Sequence, residues 1–339
     1  MATIRKKGEL QWHVQVRRKH VNETKTFTTK MDADSWAREV ENQIDRGVYI
    51  SRVEAESISL GEACDRYERE VLPRLKGKAS DTSRLKTIKF NLGNLPLAAI
   101  SSTILAKFRD ERLKVVGKQS VIHELGLITR ILKCCTLDWG IGLPSGVPAV
   151  RKPNAPEGRS RRVEQSEIDA IMAVSDSVEL PEIMQLVLET TMRRGEIYKI
   201  KWEHVDFKKP IIRLENTKND LSREVPLSSR AVAVLKALPR RIDGRVFSLR
   251  PDSITQAFDR ALLRARAKYE SDCELKNIKP EKNFLVGIHF HDLRHEATSR
   301  IALKVSNLIE LASITGHQDL QMLKRYYHPK AEDLAKKLG

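Results

Sequence analysis

Between Gly140 and Arg162 the chain carries Pro144, Pro148, Pro153 and Pro156 together with Gly142, Gly146 and Gly158, and then Arg159, Arg161 and Arg162. Proline removes a backbone donor and glycine weakens any regular element, so neither a helix nor a central strand can run through such a stretch. The fold has to break here. At 339 residues the chain exceeds what one core usually organises, so two or three domains are expected. Residues 143–162 are read as a basic, Pro-rich linker that divides a helical region, 57–142, from a mixed region, 163–339.

Charge narrows the function classes. The 61 Lys and Arg against 45 Asp and Glu leave a formal net charge of +16, which suits a chain that makes phosphate contacts and releases counterions from nucleic acid. A basic chain need not bind anything, so motifs must decide. No apolar run approaches the roughly 18 residues of a membrane span, and the first residues lack a signal-peptide core, so a cytoplasmic location and no membrane partner are expected. Cys64, Cys134, Cys135 and Cys273 are too few and too irregular for a disulfide framework or zinc knuckle, and read as reduced, buried thiols.

Before the linker two patterns follow each other. Leu10 to Thr28 alternates in a two-residue period around Trp12, Val14 and Val16, turns through Asn22, and resumes at Thr24, Thr26 and Phe27. From Asp32 the period becomes helical through Ala33, Trp36, Ala37, Val40 and Ile44, and Gly47 closes the helix. Residues 1–50 therefore read as a small three-stranded sheet with a helix packed on it. Arg17, Arg18, Lys19 and Lys25 crowd the strands and turn; alone they are as well explained by a solvated face as by a sheet in the major groove. Residues 48–56 show no period and read as a linker. From Leu60 to Asp138 the chain is helical, with stripes at Ala63, Tyr67 and Val71, at Ile104, Phe108 and Leu113, and from Val121 to Trp139; Pro73, Gly93, Pro96 and Gly117 break it into a bundle of about four helices. Lys76, Lys78 and Lys86, near the first break, form a basic rim.

Beyond the linker, Ser166 is expected to cap a helix through Ile168 and Ile171, and Pro181 opens another. Thr190 to Ile197 then leads into two short strands, Ile211–Leu214 and Arg223–Leu227, joined by a polar hairpin that holds Lys218. Helices are expected at 229–238 and 253–268, no assignment follows for 269–282, and a helix starts near His289 and runs to about Leu303.

The chemistry-bearing residues lie in this last region. His291 and Arg294 are three apart near a helix start, so they share a face. Arg193 is followed one turn later by Glu196, Lys218 sits in the hairpin, and His317 follows Gly316, a helix-ending glycine. Nine positions after His317 stands Tyr326, preceded by Arg325. A phenol with pKa about 10 attacks at neutral pH only with help from a base and a positive field. Two arginines could supply that field to a phosphate, a histidine could take the phenolic proton, and a lysine could protonate a leaving alkoxide. Singly, each residue has an ordinary explanation: solvated arginines, a histidine beside a helix end, a core tyrosine, an exposed turn lysine. The His291, Arg294 and His295 cluster suggests a metal, and His289 and His291 resemble a ligand pair, but no carboxylate or cysteine completes a zinc site, and none is expected.

Taken together and in order, these residues resemble the tyrosine recombinase family of phage-type integrases. Its first-arginine box is met by Thr190-Thr191-Met192-Arg193-Arg194-Gly195-Glu196, its lysine between two strands by Lys218, its His-X-X-Arg box by His291-Asp292-Leu293-Arg294-His295, its Gly-His by Gly316-His317, and its Arg-Tyr box by Arg325-Tyr326. Thr191 stands where the family usually has glycine. Tyr326 and Tyr327 are adjacent; the spacing from Arg325 and His317 points to Tyr326. The resemblance implies a mixed α+β catalytic domain, a helical core-site DNA-binding domain before it, and an arm-site DNA-binding sheet at the N-terminus. It implies a site-specific recombinase that integrates or excises a mobile element through a 3′-phosphotyrosyl intermediate. In that reading Tyr326 is the nucleophile, Arg193 and Arg294 hold the phosphate, Lys218 is the general acid, Glu196 supports Arg193, and His291 and His317 share proton transfer and phosphate binding in a way the sequence leaves open. It further implies double-stranded DNA, a homo-tetramer on that DNA, accessory bending or directionality factors, a nucleoid location in a bacterial or phage-infected cell, and no cofactor, since each phosphodiester is exchanged for another. With it, Arg17 to Lys25 and the linker arginines Arg159, Arg161 and Arg162 become candidate DNA contacts. A type IB topoisomerase and a DNA-binding regulator without chemistry are the rival readings; the N-terminal sheet and linker oppose the first, the complete residue set the second.

Overall fold

The computed structural model describes residues 2–19, 21–47, 49, 51–75, 77–143, 145–156, 158–159, 161–214, 222–305 and 307–326. Lys76, Lys218 and Tyr327, and the C-terminal segment after them, lie outside the described residues. The chain forms two compact units, Met1–Gly158 and Arg159–Gly339.

The first unit opens with an antiparallel sheet of β1 (Ala2–Gly8), β2 (Gln11–Arg18) and β3 (Val21–Phe27). Helix α1 (Lys30–Asp45) is capped by Thr29, whose hydroxyl accepts from the Asp32 amide. Val14 and Val16 on the sheet and Ala33, Ala37, Val40 and Ile44 on the helix are buried together, as the two periods require. The strand reversal falls at Lys19, with φ of +53°, rather than at Asn22, which already belongs to β3 opposite Arg17. Alternation along the strands decides what each face shows. Arg17 pairs with Asn22 on the face away from α1, whereas Lys25, opposite Val14, is on the helix side.

The segment read as a linker, 48–56, contains a short helix, α2 (Val53–Ser57), because Ala55 is fully buried against the bundle that follows. That bundle is α3 (Leu60–Glu70), α4 (Lys78–Leu92), α5 (Ser102–Leu113) and α6 (Lys118–Leu137). Ser59 and Glu62 form a reciprocal capping box at the start of α3. In α5 the buried stripe is Leu105 and Phe108, not Ile104 and Leu113, which is exposed. Cys64 and Cys135 are buried thiols, and burial raises both pKa values to about 12. The Pro-rich stretch does not hang free at its start: Ile141 and Leu143 are buried in the bundle core, with Val147 and Val150 packed against it.

The second unit is built on α7 (Gln165–Ala173), α8 (Leu180–Thr190), α9 (Arg194–Lys199), a sheet of β4 (Val205–Asp206), β5 (Ile211–Leu214) and β6 (Arg223–Pro226), then α10 (Ser229–Ala237), α11 (Pro251–Leu275), α12 (Phe290–Ala302) and α13 (Leu308–Thr315). The cap of α7 is Glu164, in a capping box with Glu167, and Ser166 lies inside the helix. Helix α11 continues through 269–275, where Cys273 is buried. The core centres on α8, whose Leu180, Ile183, Met184, Leu186 and Val187 are all fully buried, each contributing roughly 1.5–3 kcal/mol.

Candidate active site

Helix α8 ends at Thr191, which takes the left-handed conformation (φ 54°, ψ 19°). This is the position where the family pattern has glycine, and the reversal it makes sets Arg193 as the cap of α9. Glu196, buried on the first turn of α9, accepts from the Arg193 amide at 2.8 Å and from its Nη1 at 2.9 Å. Burial disfavours its charged form, but Arg223 and Arg193 outweigh that and hold its pKa below the usual range.

Helix α13 carries the centre of the arrangement. Its last turn and cap present three successive carbonyls, and each receives a different arginine: Ile314 from Arg223 Nη1, Thr315 from Arg294 Nη2 at 2.7 Å, and Gly316 from Arg193 Nη2 at 3.2 Å. Helix C-termini leave such carbonyls unpaired and carry partial negative charge, so they hold guanidinium groups that would otherwise repel each other. Gly316 has φ of +69°, and a Cβ there would sit 2.8 Å from Arg223 Nε, so both backbone and space require glycine. Arg294 is buried and also donates to the Thr191 carbonyl. Burial, then Arg193, pushes its pKa down.

The histidines lie beside this cluster. His317 Nδ1 is 2.7 Å from Thr315 Oγ1, which itself donates to the Leu311 carbonyl at 2.7 Å. The Thr315 hydroxyl therefore accepts from Nδ1–H, and Nε2 of His317 is left as an acceptor. Burial, then Arg294 and Arg193, brings its pKa down to about 4. His291 is at the rim; partial desolvation and then Arg294 lower its pKa too. One turn on, His295 packs edge-to-face with His291 at 4.9 Å between ring centres and stacks with the Tyr326 ring at 5.9 Å. Its Nδ1 bonds the Tyr326 hydroxyl, to which Arg325 Nη2 also donates at 2.7 Å. Burial raises the Tyr326 pKa, against the lowering pull of Arg325 and Arg294, so the resting phenol keeps its proton.

Of the residues singled out from sequence, Arg193, Glu196, His291, Arg294, His317 and Tyr326 are brought together; Lys218 falls outside the described residues. Two further residues join them, Arg223 and His295. Arg223 alternates with the buried Val225 and Leu227, which marks it as an inward-pointing arginine. His295 shares a helical face with His291. The linker arginines have internal partners: Arg159 grips Asp292 with two bonds of 3.0 and 2.8 Å, Arg162 grips Glu296 at 2.7 and 3.2 Å, and Arg161 meets Glu167. Asp292, the carboxylate beside His291, is therefore committed to Arg159. Among the other candidates, Arg18 pairs with Asp45 at 2.8 Å and Lys19 donates to the Ile44 carbonyl at 3.3 Å, while Arg17, Lys25, Lys78 and Lys86 are exposed.

The phage integrase family model matches residues 161–333. An integrase/recombinase of Haemophilus influenzae is 34% identical over 352 residues, covering 99% of this chain and 88% of that protein. The shufflon-specific DNA recombinase of Escherichia coli is 34% identical over 293 residues, covering 83% of this chain and 72% of that one. A lambda integrase tetramer bound to a Holliday junction is similar in fold, with a TM-score of 0.62 at 18% identity across 96% of this chain and 94% of the other. Fold and site together define a tyrosine-type site-specific DNA recombinase. The chain belongs to the phage integrase family.

Proposed function

We propose that the chain recombines double-stranded DNA by attack of the Tyr326 phenol on a backbone phosphodiester, with Arg193 and Arg294 holding the phosphate. The observation that carries this reading is the convergence of both arginines, His317 and the Tyr326 hydroxyl around the end of α13. Guanidinium groups fixed in advance stabilise the charge that grows on the non-bridging oxygens. Glu196 keeps Arg193 in place, and Arg223 keeps Glu196 charged. Lys218 protonates the leaving 5′ oxygen, a role it takes from the family resemblance. His317, with Nε2 left as an acceptor, suits a hydrogen bond from the 5′-hydroxyl that cleavage frees, and would have to take up a proton to bond a phosphate oxygen; His291 lines the rim.

The product of the first step is a 3′-phosphotyrosyl link and a 5′-hydroxyl, which a partner strand's exchange then resolves. The bond energy is kept in the covalent intermediate, so no nucleotide is consumed. In this reading residues 1–50 bind arm sites, with the face carrying Arg17 toward DNA, residues 57–142 bind the core site, and four protomers act together to integrate or excise a mobile element in the bacterial nucleoid, with accessory factors setting direction. The segment 330–339 would dock on a neighbouring protomer.

A nicked suicide duplex tests the assignment. Wild type and Tyr327→Phe become covalently attached, Tyr326→Phe does not, and all three bind. Attachment that persists in Tyr326→Phe but vanishes in Tyr327→Phe would move the nucleophile by one residue.

A further inference from the structure

We propose that His295 is the catalytic base that takes the proton of the Tyr326 phenol, an inference that rests on Tyr326 being the nucleophile. The argument is one of donors and acceptors. Arg325 Nη2 lies 3.2 Å from His295 Nδ1 and 2.7 Å from the Tyr326 oxygen. A guanidinium has hydrogens to give and no lone pair to offer, so Nδ1 must be the bare nitrogen and the ring proton sits on Nε2. With Arg325 already donating to the phenol oxygen, the phenol's own hydrogen points to Nδ1, which it contacts directly. The ring of His295 stacks on that of Tyr326, at an interplanar angle of 21°, and thus fixes the approach.

The step balances. The phenolic proton moves to Nδ1, giving imidazolium; the phenol oxygen's electron pair forms the new P–O bond; the P–O5′ bond breaks, and its electrons leave on O5′, which the general acid protonates. On religation the 5′-hydroxyl attacks, the P–O bond to Tyr326 breaks, and the phenolate recovers its proton from His295. Arg325 stabilises the phenolate in both directions.

The groups facing His295 are His291, Asp292 and Arg294 from α12, and Arg325 and Tyr326 from the turn after α13. Burial, His291 and Arg325 bring its pKa down to about 4 without DNA, which leaves it neutral and ready to accept. An entering phosphate adds negative charge to the surrounding arginines and raises its proton affinity as the phenol gives up its own.

Single-turnover cleavage of the suicide duplex across pH 6–9.5 tests this, with His295→Ala and His295→Gln checked for melting temperature and DNA affinity. General-base assistance is worth about 100- to 10,000-fold, so both variants should cleave at least 100-fold more slowly at pH 7 while binding normally. Their deficit should narrow as pH rises toward the phenol's own ionisation, which a purely structural defect would not do. A duplex with sulfur at the bridging 5′ position, whose leaving group needs no acid, should leave the deficit intact. Rescue by that sulfur would put His295 on the leaving group instead, and wild-type or faster cleavage by either variant would make the contact a resting latch and overturn the proposal. Covalent capture by Tyr326→Phe would instead unseat the nucleophile, a separate outcome.

Discussion

Replacing Thr191 by glycine should make the second unit more stable. Thr191 holds φ of +54°, and its buried hydroxyl has no hydrogen-bond partner among the described residues. The left-handed conformation costs a residue with a Cβ roughly 1–2 kcal/mol. An unsatisfied buried hydroxyl costs roughly 1–3 kcal/mol more. Against these, glycine loses roughly 0.5–1 kcal/mol in backbone entropy. Losing the buried methyl gives up about 0.8 kcal/mol of transfer free energy. The balance favours glycine by about 1–2 kcal/mol, a rise of roughly 2–4 °C per kcal/mol for a unit of this size. Thr191→Ala removes the orphan hydroxyl and keeps the positive φ, so it should gain less than glycine. Thermal and urea unfolding of the full chain, with hydrogen exchange in α8 used to identify the transition of the second unit, reads both variants. A glycine variant less stable than wild type would refute the strain argument, and alanine matching glycine would assign the whole effect to the hydroxyl.

Three further outcomes follow from the same contacts. Arg223→Leu strips Glu196 of a buried partner and should lower stability by about 3–5 kcal/mol, the cost of breaking a buried ion pair, so it should be read with Arg223→Lys; a leucine variant with unchanged melting would remove Arg223 from the scaffold. Arg159→Ala and Arg162→Ala should lower the melting temperature by taking one cationic partner from buried Asp292 and Glu296, the latter keeping Arg300, yet leave the salt dependence of DNA affinity unchanged; a slope that falls by about one per variant would make them phosphate contacts instead. Acid should destabilise the DNA-free protein: His295 and His317 have folded pKa values of about 4, below the unfolded value, so the stability they contribute is complete above about pH 6.5 and is lost as pH falls toward 4. The depressed carboxyls of Asp292, Glu196 and Glu296 then lose their contribution at lower pH still. Denaturation midpoints measured from pH 7.5 to 4 check this, and a flat profile between 6.5 and 4.5 would contradict the histidine shifts.

Local pattern was enough for the elements and most of the site. Two-residue alternation at Trp12, Val14 and Val16, the helical stripe from Ala33 to Ile44, and Pro181 at the start of α8 follow from rules that act within a few residues, and the structure keeps them. The order of Arg193, His291, Arg294, His317 and Tyr326 named the family, because a set of motifs survives in sequence even when its members lie far apart. Other features had no local signal. Nothing near Ala55 announces α2, which exists because the bundle that follows folds back to cover it. The linker arginines looked like free positive charge, since their partners Asp292, Glu167 and Glu296 are brought to them only by folding. Likewise only the tertiary structure lines up the carbonyls of Ile314, Thr315 and Gly316 with arginines from three other elements, and sets His295 against the phenol of Tyr326. Residue type and spacing determine which groups a chain has to offer; long-range packing decides which of them meet, because a hydrogen bond is defined by distance and direction that sequence separation does not encode.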